Sequence, residues 1–292
     1  GKSLRVEDIH AFDPSVVALK SRLGMELHVT GPVTAPQIKD GDLRVHELVV
    51  NGNTFGPGSG KVHISKESVR VDHFVLIGGQ KDAEAGRREQ YEVNGTVWPR
   101  EDLDITAAVV AAPIAKLMDL GRVPPPPFPV EGRLTALIKV KEGEPRPLVS
   151  VTRLDVTDGR VGPQPVETLT VEGIELNKDD LVVSKLTVAL PGGTTLMGEG
   201  RASLAANGPI QFNVDAEEID LALVQPWVSL GQEIGGTGKL HLQVSGTLNE
   251  PVVVGRVDAR SPRYGNFQID AIGADLSFRD HVARVTNLLV EK

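Results

Sequence analysis

The stretch GPGSGK, Gly56 to Lys61, holds the glycines and the lysine with which a phosphate-binding loop wraps oxygens in backbone N–H groups. Such a loop also needs a glycine five places before the Gly-Lys pair and a hydroxyl residue after it, where this chain has Phe55 and Val62. The stretch is therefore expected to be a flexible hairpin end. Seven histidines could bind metal, and His10, His28, His46, His63 and His73 fall in the first quarter of the chain. No two of them have a ligand interval on an expected helix, so exposed strand faces are their expected place and no metal is expected. Asp102 with Asp104, and Glu217 and Glu218 with Asp220, are the paired carboxylates that glycoside hydrolysis requires. Both groups begin expected helices, where the dipole favours negative charge without any catalysis. No serine lies in a Gly-x-Ser-x-Gly elbow. The absence of cysteine excludes thiolate nucleophiles, disulfides and cysteine-ligated zinc. The chain reads as a non-enzyme without a cofactor.

With polar chemistry set aside, the apolar surface carries the reading. The 292 residues are 40% apolar, enough to build a substantial core, so a disordered chain is not expected. Acidic residues outnumber basic ones by 39 to 31, and a net charge of -8 offers no footprint for a phosphate backbone, which excludes nucleic acid as a partner. The longest uncharged apolar run, Ile105 to Ala115, contains Pro113 and is far shorter than the roughly 20 residues of a membrane-spanning helix. The first residues, GKSLRVEDIH, lack the basic start and apolar run of a signal peptide, and the chain is expected to be an internal piece of a larger protein.

Short runs of alternating apolar and polar residues dominate, the mark of strands with one face covered. On one face the alternation sets Leu27 and Val29, then Val62 and Ile64 with Val69 and Val71, then Leu181 and Val183 with Leu186 and Val188. Leu240, Leu242 and Val244, and finally Leu276 and Phe278, continue it. Turn chemistry separates the runs at VNGN (50–53), TDGR (157–160), NKDD (177–180) and PGG (191–193). These residues either fill a sandwich or floor an open trough, because both hide one face of each strand. Scant helix and a lining poor in aromatics, which make up 4% of the chain, favour an all-β fold with a few short helices: an elongated, repeating β-groove of curled antiparallel strands.

Three stretches carry helix start and stop marks: 7–24, 102–121 and 217–236. Each has acidic residues first, a proline inside (Pro14, Pro113, Pro226) and glycine at the end. After each comes a strand and then a corner marked by Pro36, Pro147 or Pro251, which implies a repeat of about a hundred residues. The expected organisation is a first groove repeat over 1–122, a second over 123–236 and the start of a third over 237–292. Between the first two, RVPPPPFPV (122–130) is expected to be a stiff extended connector.

The phrase SGTLNEPVVVGRVDA (245–259) and the later IDAIGADLSFRDHVARVTNLLVE (269–291) resemble the repeats of the TamB (translocation and assembly module) and AsmA-like envelope proteins. In that family the wording G-T-L-x-x-P-x-x-x-G-x-V recurs, as at Gly246 to Val257 here. The resemblance is strongest over 217–292. Upstream, the first copy keeps Gly31, Pro36 and Gly41, and the middle copy keeps little beyond Pro147. It implies a β-taco rod in the periplasm of a two-membrane bacterium, anchored in the inner membrane by an N-terminal segment not present in this sequence. The implied partners are phospholipids moving toward the outer membrane and, in an alternative role, an outer-membrane barrel protein whose clients are assembled by strand addition.

Overall fold

The computed structural model describes residues 4–5, 19–30, 32, 37–81, 88–120, 129–144, 147–205, 207–227, 231–247, 249–280 and 282–291. The chain divides into two units, residues 1–127 with 132–154, and 128–131 with 155–292. The first holds β1 (Leu4–Arg5), β2 (Leu19–Thr30), β3 (Gln37–Val50), β4 (Asn53–Ile64), β5 (Val69–Lys81), β6 (Arg88–Trp98) and β7 (Asp104–Pro113). The α-helix α1 (Ile114–Leu120) follows, then β8 (Val130–Lys141) and β9 (Leu148–Val161), each with residues in both units. In the second unit lie β10 (Gln164–Asn177), β11 (Asp180–Ala189), β12 (Thr195–Ser203), β13 (Ile210–Asp220) and β14 (Ile234–Gly246). β15 (Pro251–Tyr264), the two-residue β16 (Phe267–Gln268), β17 (Ala271–Arg279) and β18 (Val282–Glu291) complete it.

From β2 to β8, and again from β10 to β15, each strand pairs antiparallel with the next. β15 then pairs with β17 and β17 with β18. Within each unit the strands form a curled antiparallel sheet, the all-β groove architecture expected from the sequence. Local chemistry explains the hairpins. Asn51 and Gly52 take φ of 49° and 85° between β3 and β4, the left-handed pair a two-residue hairpin needs. The turns at NKDD and PGG also stand where the sequence put them. TDGR does not turn: it lies inside β9, with Asp158 at a left-handed φ of 53°, and the chain reverses at Gly162–Pro163.

Helix is shorter than expected in both described cases. Residues 102–113 are a 3-10 turn and strand β7, because the β-branched Ile105, Thr106, Val109 and Val110 suit the sheet; α1 starts only after Pro113. Residues 217–220 end β13, and the 3-10 helix spans Leu221–Trp227 before β14 begins at Ile234. In the earliest stretch, 7–18 lie outside the described residues and Leu19–Gly24 are strand, not helix. The connector residues 122–128 and Pro36 also lie outside them. Pro147 precedes β9 and Pro251 opens β15, as corners should.

Candidate functional site

Directly paired residues of neighbouring strands share a face, so the register shows which side chains form tracks. In the second unit one track runs Leu186, Gly198, Val214, Leu242, Gly255, Leu276, Val285 across β11 to β18. A second runs Val183, Gly200, Phe212, Val244, Val253, Phe278, Ala283. Leu181 pairs with Ala202 and that with Ile210; Ala216, Leu240, Val257 and Ala274 make a further row; Val188 pairs with Leu196. Every floor residue expected in this unit therefore lies on one side of the sheet. In the first unit Leu27, Gly41, Val62, Val71, Gly95, Ile105 and Val140 form a row, and Val29, Ile38, Ile64 and Val69 another. The backbones of Leu27, Val29 and Ile38 sit in those rows; their side chains lie outside the described residues.

Simple alternation fails between Val183 and Leu186, which are three apart. The register of β11 against β12 shifts there, so the extra residue returns Leu186 and Val188 to the same face as Val183. On β10 the compensating kink is Gly173, whose φ of +65° is left-handed and whose carbonyl accepts from the Ser184 hydroxyl at 3.1 Å.

Glycine keeps the floor low. A Cβ on Gly200 would stand 2.4 Å from the Phe212 ring, and one on Gly255 would stand 2.6 Å from Leu242, so both large side chains lie flat across the sheet. The same device places GPGSGK inside β4 rather than at a hairpin end: the tip of the Phe74 ring and the Leu76 side chain lie against Gly58, and the Phe74 backbone passes close to Gly60. Most valine, leucine and phenylalanine side chains described in these tracks are half-buried, with Val62 buried at 7% exposure and Val285, on β18, exposed at 60%, where facing sheets of a sandwich would seal them all. The fully covered positions of the second unit's tracks are mostly small: Ala202, Ala216, Ala259 and Ala274, with Ile210.

One rim of each unit is folded over. In the first, Leu120 of α1 packs on the buried cluster Val45, Phe55 and Leu76. Lys116 Nζ, 2.6 Å from Glu89 Oε1, also sits 4.0 Å from the centre of the Phe55 ring, and the two charged side chains are 14% and 6% exposed. The Tyr91 hydroxyl donates to the same carboxylate at 2.5 Å. Burial first, and then the Glu89 charge, push that hydroxyl well above its ordinary value, so it stays a donor. In the second unit the 3-10 helix brings Leu221 over Gly238, 3.5 Å from where a Cβ would be, and its start is capped by the Asp220 carboxylate accepting from Ala222 N–H at 2.9 Å.

No known protein family, curated protein or solved structure matches this chain. The site must therefore be read from its own residues. Opposite the tracks, the other face is mostly polar, with Val182, Met197 and Val254 exposed among its charged side chains. Asp215 and His241 are 2.5 Å apart, Arg256 pairs with Asp258 and Asp275, and His63 and His73 meet Asp72 and Glu92. The Arg70 guanidinium beside Asp72 holds its carboxyl below the usual range. The histidines thus face carboxylates one pair at a time, and no cluster able to hold a metal is found among the described residues. Glu217 is engaged by Lys239. A concavity of about 720 Å³ is lined by the row Val182, Arg201 and Gln211 together with the track residues Leu181, Ala202 and Ile210; Arg201 donates to Gln211 Oε1 at 2.8 and 3.0 Å.

Sequence reading missed the tracks' members on β13 and β15. Phe212, Val214 and Ala216 alternate in IQFNVDA, and Val253, Gly255, Val257 and Ala259 alternate in PVVVGRVDA, so the signal was present.

Proposed function

We propose that this chain is a bridge segment of an envelope protein that holds phospholipid acyl chains on an apolar groove and passes them between the inner and outer membranes. The observation that carries this reading is the uninterrupted apolar tracks from β11 to β18, half-buried rather than sealed as far as β17 and exposed on β18. Acyl chains in water cost about 0.8 kcal/mol per exposed CH₂, so a continuous apolar floor lowers the barrier to transit by several kcal/mol per lipid while headgroups stay wet. Tracks with no polar break suit a sliding chain better than a shaped pocket does. The resemblance of Gly246 to Val257 to the TamB repeat supports the same role and a periplasmic place, with anchoring by a segment outside this sequence.

Leu242→Asp and Val183→Asp test it, each placing a charge in a central track. Binding of a fluorescent phospholipid should fall about a hundredfold, from the roughly 3 kcal/mol an aspartate costs in hydrocarbon, with the strand content by circular dichroism unchanged. Unaltered binding by both variants sinks the groove reading.

Assembly of outer-membrane proteins by strand addition is the second reading. It draws on β18, whose ten residues are all exposed, Val285, Leu288 and Leu289 among them at about 60%. Proline at Thr286 should then be the damaging change and Leu242→Asp the silent one.

A further inference from the structure

We propose that a phospholipid on either unit lies along the strands in one direction only, acyl ends toward the helix-covered rim and headgroup at the opposite rim. This rests on the lipid reading above and adds to it a fixed orientation. At the covered rim of the first unit, Leu120, Phe55 and the neutralised Lys116–Glu89 pair fill the space beside the sheet. A headgroup placed there would have to displace a satisfied ion pair and an apolar cluster. In the second unit Leu221 covers the matching rim at Gly238. The opposite rims are hydrophilic and of mixed sign: Lys66, Glu67 and Arg100 in the first unit, Lys178, Glu250 and Arg279 in the second, all exposed. Mixed charge suits a zwitterionic headgroup, whose phosphate and ammonium both need partners. Length agrees as well. From Leu181 to Val188 the apolar run of β11 is about 20 Å at about 3.3 Å per residue, enough for one acyl chain, whose depth is half of a hydrocarbon core about 30 Å thick.

The chain has no cysteine, so single-cysteine variants give clean labels. Lys66→Cys and Glu250→Cys mark the open rims, and Thr54→Cys and Asn266→Cys mark the covered ones. On β4 and the turn after it, positions 54 and 66 are about 40 Å apart along an extended strand. Each full-length variant carries a bimane fluorophore and is loaded with phosphatidylcholine bearing a nitroxide either on the headgroup or at the acyl terminus. The headgroup nitroxide should quench the labels at 66 and 250 several-fold more than those at 54 and 266, and the acyl-terminal nitroxide should reverse that order. Equal quenching at both rims, or the opposite order, overturns the orientation while leaving lipid binding intact. Absence of quenching at all four positions overturns the lipid reading and the orientation together.

Discussion

The two units are built from the same strand, short helix, strand sequence, yet they close to different degrees. In the first, a regular helical turn carries Lys116 and Leu120 onto a cluster of large side chains. The second has a 3-10 helix interrupted by Pro226, and the buried positions under its tracks are mostly alanine. What the short helix carries thus differs between the units, large side chains covered in the first and mostly small ones in the second.

The sharpest break in that comparison is Lys116→Met. It strands Glu89, which is buried, and should cost the first unit about 3–5 kcal/mol while the second is unaffected, as read by hydrogen exchange resolved to each unit. The double change Glu89→Met with Lys116→Met should recover most of the loss. Gly200→Ala acts on the other side of the comparison. Its methyl group would collide with the Phe212 ring, lowering the second unit's stability by about 1–3 kcal/mol and raising the floor under any bound chain. Thr194→Val removes the hydroxyl oxygen that accepts from Asp220 N–H at 2.9 Å in front of the 3-10 helix, and should cost the second unit about 1 kcal/mol in thermal unfolding.

Alkali should also separate the units. Tyr91 has its folded value raised above the ordinary 10.0, so its contribution is complete below pH 10 and is lost as pH rises further, when the unfolded phenol ionises and the folded one does not. Stability of the first unit should decline above pH 10, and Tyr91→Phe should flatten that decline. The smallest effect belongs to the polar face: Arg256→Ala, which removes an exposed pairing, should leave the second unit's melting temperature almost unmoved.

Much of the floor was legible because period-two alternation reports directly on which face a residue takes. Leu240, Leu242 and Val244 could be placed from their spacing alone. Other features depend on partners distant in sequence. Nothing within DLVVSKLTVAL announces that β11 shifts register against β12, since the shift is a relation between two strands. GPGSGK looks like a flexible end until Phe74 and Leu76, on the next strand, are seen lying against Gly58. Residues 102–113 were misread for another reason: acidic start, apolar middle and proline are shared by a capped helix and by a strand running into one. The pairing of Glu89 with Lys116 joins residues 27 apart in sequence through the fold alone.

Within each unit a strand meets chiefly the strand before it, and that arrangement governs how the polypeptide reaches its shape. Contacts between near neighbours in sequence cost little loop-closure entropy, so folding can proceed as a zipper, hairpin by hairpin, while synthesis is still under way. Damage stays correspondingly local: a lesion in β12 weakens its two flanking ladders and leaves β17 and β18 joined.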